Sequence, residues 1–395
     1  MSDFMRRTWV QVDLDALHHN YNKIREAVTP TSGIMAVVKA DAYGHGDENV
    51  SLELAKAGAD WFAVSNLEEA FQLRRAGIDK PVLILGYTPP EYALQLAVNN
   101  ISQAVFCAEY GRKLSAEAVK AGVQVNMHIK VDTGMTRIGF PYQDNIRDGG
   151  SVDEIEEICS LQGLYPEGIF THFASADEGD NGEEYTRIQF ELFMNMTERL
   201  SARGVKFDLR HCCNSAGIIE YPEMHLDLVR PGIILYGLSP SDDIRKKLDL
   251  RPVMELKSVV SMVKTIEEDT CVSYGRSFVS KSEMKIATVP VGYADGYPRN
   301  LSNCADVLIN GKRAPVVGRV CMDQLMVDVT NLENVEQGTT VTVFGKDGDE
   351  TITADELAAK GGIINYEILC GISRRVPRIY MRSGKIESTM DYLMD

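Results

Sequence analysis

An apolar run that ends on a lysine constrains the fold of this chain more than any other stretch. Residues 34–38, Ile-Met-Ala-Val-Val, are typical of a strand that is buried on both faces of a parallel sheet. Lys39 follows directly, and an ammonium group at the end of a buried strand is costly unless it is paired, neutralised or made covalent. Because a buried lysine loses its proton readily, the stretch indicates a covalent nucleophile. The alternative is a lysine that caps the strand and extends its ammonium group into water.

Strands and helices alternate regularly after this first strand. Eight strands, each followed by or leading into a helix, predict a (β/α)8 TIM-type barrel of the α/β class rather than a doubly wound sheet. The predicted strands are residues 34–38, 61–65, 81–85, 102–106, 123–131, 168–172, 207–212 and 226–230.

Residues that can carry chemistry follow or end several of these strands. In a (β/α)8 barrel the active site lies at the C-terminal ends of the strands, so we expect these side chains to meet at one face of the barrel. They are Lys39, Lys130 with Asp132, His172, His211 with Asn214 and Ser215, and Arg230.

The pattern of predicted secondary structure changes after about Ser239, where a polar connection leads into strands of alternating apolar and polar residues. Long strands are predicted over residues 253–265 and 316–329, and Asn310-Gly311 predicts a tight hairpin. We therefore predict two domains, a barrel over residues 1–240 and a mostly β domain over residues 241–395. The first strand, residues 8–13, is expected to pack with the C-terminal domain.

The composition excludes several classes of protein. The net charge is −16 and no cluster of lysine and arginine stands out, which argues against a nucleic-acid partner. No apolar run approaches the roughly 20 residues that span a bilayer, and the N-terminal residues contain no apolar segment of signal-peptide length. The eight cysteines are scattered without a CxxC pair, so we expect neither a metal site nor a disulfide framework. A cytoplasmic protein with no membrane partner is the expectation.

Segments along essentially the whole chain resemble motifs of the alanine racemase family, a fold-type III family of pyridoxal-phosphate enzymes. The resemblance begins in the lysine stretch itself and continues, in order, through both predicted domains. The matching segments are residues 36–46, 130–139, 171–174, His211 with 214–215, 230–233, 273–275, 292–296, 318–323 and 364–367.

The resemblance implies pyridoxal 5'-phosphate as the cofactor, bound covalently by Lys39. Ser215 stands at a predicted helix start, and with the amides of Gly232 and Ile233 it offers the donors that helix N-termini provide to phosphates. Tyr43 could reach the same phosphate, or it could be a core aromatic residue. The implied cofactor-binding residues are Lys39, Tyr43, Arg137, His172, Asn214, Ser215, Arg230, Gly232, Ile233 and Tyr366.

Arg230 is the most informative of these residues, since the resemblance implies that it faces the ring nitrogen of the cofactor. A carboxylate there would keep the nitrogen protonated and make the ring a strong electron sink. Because a guanidinium does not accept a proton, the nitrogen should stay unprotonated, and removal and return of the substrate proton must be closely coupled. The alternative is a structural arginine paired with a carboxylate of the barrel.

Racemisation needs a base on each face of a planar intermediate. The resemblance implies Lys39 for one face and Tyr274 for the other, with His172 supporting Tyr274. Lys130 corresponds to a lysine that is often carbamylated in the family; a Lys130–Asp132 pair or a solvent-facing lysine is the alternative. The remaining implied roles are substrate binding by Arg137 and Met322, support of the site by Lys130, His211 and Asp323, and lining of the substrate access path by Tyr293.

We therefore expect an isomerase that interconverts L- and D-alanine and supplies D-alanine for cell-wall peptidoglycan. The alternatives are a racemase of serine or of broader specificity, a decarboxylase of the same architecture, and a non-catalytic carrier of the cofactor. Tyr366 favours alanine over serine, and the second domain has no purpose in a carrier. The family also implies a homodimer whose active sites are shared between chains.

Overall fold

The computed structural model describes residues 4–143 and 150–394. It divides into two compact units, and the predicted boundary at residues 240/241 falls slightly before the observed division at 251/252. Residues 1–3 of the N-terminal segment considered above lie outside the described part. Within that part, none of the helices combines the length and the apolar character needed to cross a membrane. The units are a barrel unit (Leu17–Ala42 and Asp47–Arg251) and a β unit (Met1–Ala16, Tyr43–Gly46 and Pro252–Asp395).

Strands and helices make up most of both units. The strands are β1 (Thr8–Asp13), β2 (Gly33–Val37), β3 (Trp61–Val64), β4 (Val82–Ile84), β5 (Ile101–Val105), β6 (Val125–Asp132), β7 (Phe140–Pro141), β8 (Leu164–Phe170), β9 (Leu209–His211), β10 (Leu228–Val229), β11 (Met254–Val259), β12 (Met262–Ile266), β13 (Cys271–Val272), β14 (Phe278–Val279), β15 (Met284–Val289), β16 (Asp306–Ile309), β17 (Lys312–Pro315), β18 (Leu325–Asp328), β19 (Thr340–Asp347), β20 (Glu350–Ile352), β21 (Arg378–Arg382) and β22 (Lys385–Met390). The helices are α1 (Leu14–Ala27), α2 (Lys39–Gly44), α3 (Asp47–Ala57), α4 (Leu67–Arg75), α5 (Ala93–Val98), α6 (Ala108–Ala121), α7 (Ser151–Ser160), α8 (Asp180–Ala202), α9 (Ser215–Glu220), α10 (Ala354–Gly361) and α11 (Asn365–Cys370).

The barrel unit contains the predicted parallel sheet. Its strands follow the order β10-β2-β3-β4-β5-β6-β8-β9, and each neighbouring pair along this order is parallel. The amides of Asp227 and Arg230 donate to the carbonyl oxygens of Arg210 at 3.1 Å and Cys213 at 3.0 Å, which joins the ends of β9 and β10. These bonds close the ring, so the predicted (β/α)8 barrel is confirmed.

The turn after β2 has an unusual backbone. Residues Ala40 to Tyr43 have φ values of 53°, 57°, 51° and 54°, so α2 is a left-handed helical turn rather than the ordinary right-handed one. A left-handed helix costs about 1–2 kcal/mol per non-glycine residue. The start of the turn is fixed by the Ala42 amide, which donates to the Val38 carbonyl at 2.9 Å, and by the Ala40 amide, which donates to Glu69 Oε1 at 2.8 Å. The packed strand and Glu69 therefore hold Lys39 in place at the start of a strained turn.

The β unit is built around a sheet in the order β17-β16-β19-β11-β1-β21-β22. Strand β1 lies inside this sheet, antiparallel to β11 and parallel to β21. The predicted hairpin at Asn310-Gly311 is confirmed, because β16 and β17 pair across these two residues, whose φ values are 53° and 71°.

Two long strands predicted in the β unit are interrupted, so their continuous assignment was wrong. The predicted strand over residues 253–265 divides into β11 and β12, which belong to different sheets because the chain turns at Val260-Ser261. The predicted strand over residues 316–329 forms only β18 and an isolated bridge between Val316 and Val327. Gly318, at a φ of 80°, bends the backbone out of the extended conformation within it.

Candidate active site

Arg230 directly follows β10 and is only 4% exposed. Its Nη1 donates to His211 Nδ1 at 2.7 Å, and its Nη2 donates to the carbonyl oxygens of Thr171 at 2.8 Å and Cys212 at 3.0 Å. Nη2 also lies 3.2 Å from His172 Nδ1. Among the described residues the acceptors of this guanidinium are thus neutral groups. The alternative of a structural arginine paired with a barrel carboxylate is therefore wrong.

Burial and positive charge control the protonation of this cluster. Burial lowers the pKa of Arg230 to about 10, which leaves the guanidinium protonated near neutral pH. Burial, followed by the charge of Arg230, holds the pKa of His172 and of His211 well below the usual value for histidine. Both imidazoles are therefore neutral and can accept a hydrogen bond from the guanidinium.

Lys130 is buried within the same barrel, at 3% exposure. Its Nζ donates to the Val131 carbonyl at 2.7 Å and lies 5.6 Å from the ring centroid of Phe170. Burial, and then the charge of Arg230, lowers the pKa of Lys130 to about 7. The solvent-facing alternative for Lys130 is therefore wrong. Asp132 accepts instead from the amides of Gly134 at 3.0 Å and Thr136 at 2.9 Å, through Oδ1.

Lys39 is half-buried where β2 leads into the left-handed turn. Its positive charge is one of those that lower the pKa of His172, together with the charges of Arg137 and Lys130. The residues predicted at the ends of several barrel strands therefore act on one another electrostatically. Arg137 itself is exposed.

Two short helical segments of the barrel unit bring together donors of the kind that bind a phosphate. Asn214 caps α9 by accepting from the Gly217 amide at 2.9 Å, and the hydroxyl of Ser215 accepts from the Gly232 amide at 2.9 Å. A 3-10 helix begins at Ile233, next to Gly232. The first amides of a helix have no acceptor within the helix itself. Helix starts of this kind suit a phosphate group, which is the role that the sequence predicts for Ser215, Gly232 and Ile233.

Tyr43 and Tyr366 lie together in the β unit. Their ring centroids are 6.0 Å apart, and Tyr43 is buried whereas Tyr366 is half-buried. Burial, and then the proximity of Tyr366, raises the pKa of Tyr43 far above its usual value, so its hydroxyl stays a neutral donor. The pairing of the two tyrosines is consistent with a shared role, although Tyr43 is also well packed.

Tyr274 has very different surroundings. It lies in a 3-10 turn of the β unit and is 69% exposed. Ser273 and Gly275, on either side, have φ values of 67° and 70°, and the Ser273 hydroxyl donates to the Arg319 carbonyl at 2.6 Å. A Cβ at Gly275 would lie 2.8 Å from Arg319 Nη1, so glycine leaves room for this arginine. The turn thus presents Tyr274 outward on a constrained backbone.

The other predicted residues of the β unit surround the same turn. Met322 is 53% exposed and Tyr293 is 43% exposed, and the Met322 carbonyl accepts from the Ala294 amide at 3.0 Å. Asp323 Oδ1 accepts from Arg375 Nη1 at 2.9 Å, which fixes the segment after Met322. Met322 and Asp323 border a surface depression of about 520 Å³, whose lining residues are Ser273, Tyr274, Cys321, Met322, Asp323 and Gln324.

Two further polar residues belong to the barrel cluster and were missed by the sequence analysis. His128 Nδ1 lies 2.9 Å from His211 Nε2, and His128 Nε2 lies 3.2 Å from Glu167 Oε2. A signal for His128 existed, because it precedes Lys130 by two residues on β6 and so shares its face of the strand. No comparable signal pointed to Glu167. In the described part of the chain, no group of three or more potential metal ligands is present.

A closed parallel barrel whose strand ends carry a lysine, a buried arginine and phosphate-type donors, joined to a β unit with an exposed tyrosine, defines a class of two-domain barrel enzymes. Family models described as the alanine racemase N-terminal and C-terminal domains match residues 12–240 and 253–380. The chain belongs to the alanine racemase family.

Individual relatives agree with this assignment over the full length of the chain. Alanine racemase 2 of Caldanaerobacter subterraneus subsp. tengcongensis is 47% identical over 393 residues, which covers 100% of both chains. The structure of alanine racemase from Clostridium difficile 630 is similar with a TM-score of 0.93 and 41% identity, covering 99% of this chain and 100% of that one. A histidine racemase from Leuconostoc mesenteroides subsp. sake has a TM-score of 0.85 and 32% identity, covering 95% and 98%.

Proposed function

We propose that this protein is an alanine racemase, an isomerase that interconverts L- and D-alanine with pyridoxal 5'-phosphate as its cofactor. The observation that carries the proposal is the buried Arg230, whose hydrogen-bonding partners in the described chain are neutral acceptors. A cationic donor without an adjacent carboxylate suits a reaction in which the proton must be returned quickly. Full-length likeness to proteins named alanine racemase supports it.

The residues present fit this cofactor. When bound, pyridoxal phosphate withdraws electrons from the amino-acid Cα, so that the proton on this carbon can be removed. Lys39 would bind the cofactor covalently, and Arg230 would donate to its ring nitrogen. Its phosphate would be held by neutral donors, which are Tyr43, Asn214, Ser215, Gly232, Ile233 and Tyr366.

The chain's own groups then move one proton. The Lys39 amine takes or returns the Cα proton on one face, and the Tyr274 phenol acts on the other. His172, kept neutral by burial and by the neighbouring cations, can accept a hydrogen bond while it supports this exchange. Arg137 and the Met322 amide bind the substrate carboxylate, and Tyr293 lines the access path. Lys130, His211 and Asp323 support the groups that touch cofactor or substrate.

We further propose that the working form is a homodimer in which Tyr274 of one chain serves the barrel of its partner. In support, Tyr274 and Met322 are exposed beside a depression of the β unit, although both are expected to touch substrate. A two-fold arrangement would use the same surface twice. The product D-alanine would supply cell-wall peptidoglycan synthesis, and the cytoplasm is the proposed location.

The test is D-alanine formation from L-alanine by the purified protein with added pyridoxal phosphate, and the reverse reaction. Serine and histidine are included as substrates, because a histidine racemase shares this fold at 32% identity. Faster racemisation of serine or histidine than of alanine would favour a racemase of other or broader specificity. Cofactor binding without turnover of any amino acid would instead indicate a carrier protein.

A further inference from the structure

A chain of hydrogen bonds runs from Arg230 through the interior of the barrel to a carboxylate. His211 lies between the guanidinium and His128, and His128 lies between His211 and Glu167. The two histidines are fully buried, and the Glu167 side chain is 16% exposed. The four residues come from separate strands or strand ends, so the tertiary fold, and not local sequence, creates the chain.

The direction of every proton in this chain follows from its first member. A guanidinium only donates, so His211 Nδ1 must accept from Arg230 and the proton of this neutral ring must sit on Nε2. His211 Nε2 then donates to His128 Nδ1, 2.9 Å away. That leaves the His128 proton on Nε2, which donates to Glu167 Oε2 at 3.2 Å. A reversed proton order would place the Nδ1 proton of His211 against an N–H of Arg230.

Glu167 is suited to end this chain because it acts as an acceptor for three side chains. Besides His128, the Ser102 hydroxyl donates to Oε2 at 2.5 Å and the Asn126 amide donates to Oε1 at 3.1 Å. An ionised carboxylate can accept from all three at once without donating. A missing carboxylate would leave a buried imidazole N–H without its partner.

The surrounding residues hold the two imidazole rings in position. His211 stacks on Phe170 with centroids 4.9 Å apart and 5° between the planes, and His128 meets the edge of Trp61 at 5.4 Å. Room for His128 comes from Gly168, where a Cβ would lie only 2.4 Å from its Nδ1. The packing therefore selects one geometry in which the hydrogen bonds align.

We propose that Glu167, acting through His128 and His211, is a positioning residue that holds the Arg230 guanidinium in the orientation the cofactor ring requires. A carboxylate that accepts from an imidazole makes the other ring nitrogen a better acceptor, as in the carboxylate–histidine pairs behind metal ligands. Two imidazoles in series pass this effect on, because hydrogen bonds in a chain polarise one another. Arg230 is thus bound to a distant anion without touching one. The role in catalysis rests on the proposed racemase function.

The first test uses the protein without cofactor, so it does not depend on the reaction. In protein labelled with nitrogen-15 in histidine and arginine, we expect His128 and His211 as neutral rings protonated on Nε2. Glu167→Met removes the acceptors, and the signals of His128, His211 and the Arg230 guanidinium should all shift. Glu167→Gln keeps one oxygen that can accept from His128 but removes the negative charge, so the same signals should shift in the same direction by a smaller amount. Unchanged His211 and Arg230 signals in Glu167→Met would overturn the proposal.

The second test is a double-mutant cycle on the racemase reaction. Glu167→Met and His128→Gln should each lower kcat roughly tenfold with little change in KM, because neither residue touches the substrate. The double variant should be no worse than either single variant, since one break already interrupts the chain. If the losses of the two single variants multiply in the double variant, the two residues have separate structural roles, and the proposed hydrogen-bond chain is refuted. The control is Glu157→Met, at a surface carboxylate paired with Arg112, which should leave both constants unchanged.

The two arms separate failure of this proposal from failure of the proposed function. If the parent protein racemises no amino acid, the spectra of the cofactor-free protein still decide whether Glu167 acts on Arg230. If the parent is active but the spectra and the double-mutant cycle show that the residues act independently, the proposed function stands and the proposed hydrogen-bond chain is refuted. A variant that does not fold is recognised from its spectrum, and Glu167→Gln then carries the comparison with the parent.

Discussion

The surroundings of Arg230 and of Tyr274 contrast within one chain. Arg230 is 4% exposed, and its bonds to side chains and carbonyl groups are made inside the barrel unit. Tyr274 is 69% exposed on a turn of the β unit. The barrel cluster has therefore already been removed from water and oriented by folding. The tyrosine turn has a fixed backbone, but its phenol still faces solvent.

This difference indicates how the work of building the site is divided. Charged groups act most strongly where water is excluded, and the barrel unit achieves that exclusion by itself. A phenol is a poor base until neighbouring groups ease its ionisation. We propose that those neighbours come from the partner's barrel. Substitutions that inactivate Lys39 or Tyr274 separately, followed by mixing of the two inactive chains, test this division.

Lys39→Ala should have the largest effect. Removing the amine takes away both the covalent attachment and one base, so racemisation should fall by roughly 10⁴-fold or more. The purified variant should contain no cofactor that borohydride fixes to the protein, as seen by absorbance and mass spectrometry. Lys23→Ala, at a partly exposed lysine paired with Glu26, is the matched control and should behave as the parent. A reducible adduct that persists in Lys39→Ala would show that another lysine is the anchor.

Tyr274→Phe should lower racemisation by roughly 10³-fold while covalent cofactor binding survives. In deuterium oxide, exchange at Cα should persist for one enantiomer, D-alanine if Lys39 is its base, and fade for the other. Proton magnetic resonance of the recovered alanine measures both rates. Tyr92→Phe, at another exposed tyrosine, is the control. Equal loss of exchange from both enantiomers would defeat the assignment of two bases.

Mixing the two inactive variants tests the division between chains. Lys39→Ala and Tyr274→Ala chains are combined under conditions that exchange subunits. If Tyr274 acts across a two-fold interface, one site of each heterodimer has both bases, and about a quarter of the parental activity should return. Titration of the mixing ratio should give a maximum near equal amounts. A mixture that stays inactive after proven exchange would place Tyr274 in the site of its own chain.

Lys130→Met should give a smaller effect, on stability, and the size of this effect should depend on pH. The pKa of Lys130 is lowered to about 7 in the folded protein, so between this value and the usual 10.4 the unfolded chain binds more protons. Because of Lys130, the free energy of unfolding of the parent therefore rises between pH 7 and pH 10, by at most about 1.4 kcal/mol per pH unit. Lys130→Met loses that gain, so it should be more stable than the parent at pH 7 and converge with it near pH 10.

Urea unfolding at several pH values measures this difference, with the surface substitution Lys120→Met as control. A carbamylated Lys130 would reverse the result, because its carboxylate would hold Arg137 and its loss would destabilise the protein at pH 7. Mass spectrometry of the native protein distinguishes the two forms. A difference that does not change with pH would show that Lys130 has an ordinary pKa.

The sequence predicted the barrel well because its signals are local. Short apolar runs of buried strands alternate with helices, and the strand ends show their polar residues directly. The β unit was harder to predict, since Gly318 and the turn at Val260-Ser261 interrupt strands that read as continuous. Alternation of apolar residues persists through such bends, so the pattern alone does not mark them.

The Glu167 end of the barrel cluster could not be predicted for a different reason. Which residue of β8 faces His128 depends on the register between two strands, and this register shifts between Met127 and His128. A one-residue shift exchanges the two faces of a strand. The left-handed turn after Lys39 was also missed, because Ala40 and Ala42 are ordinary residues for a right-handed helix.

That turn has a consequence for how the protein tolerates change. Replacing glycine with alanine usually stabilises a protein by about 0.4–1 kcal/mol, but a left-handed alanine carries a penalty of about 1–2 kcal/mol. Ala40→Gly should therefore raise the melting temperature slightly, and Ala40→Val should lower it, as calorimetry can measure. A search for heat-resistant variants would find glycine attractive here. The more flexible glycine backbone would hold Lys39 less firmly. A substitution that raises thermal stability at this position should therefore lower the catalytic rate.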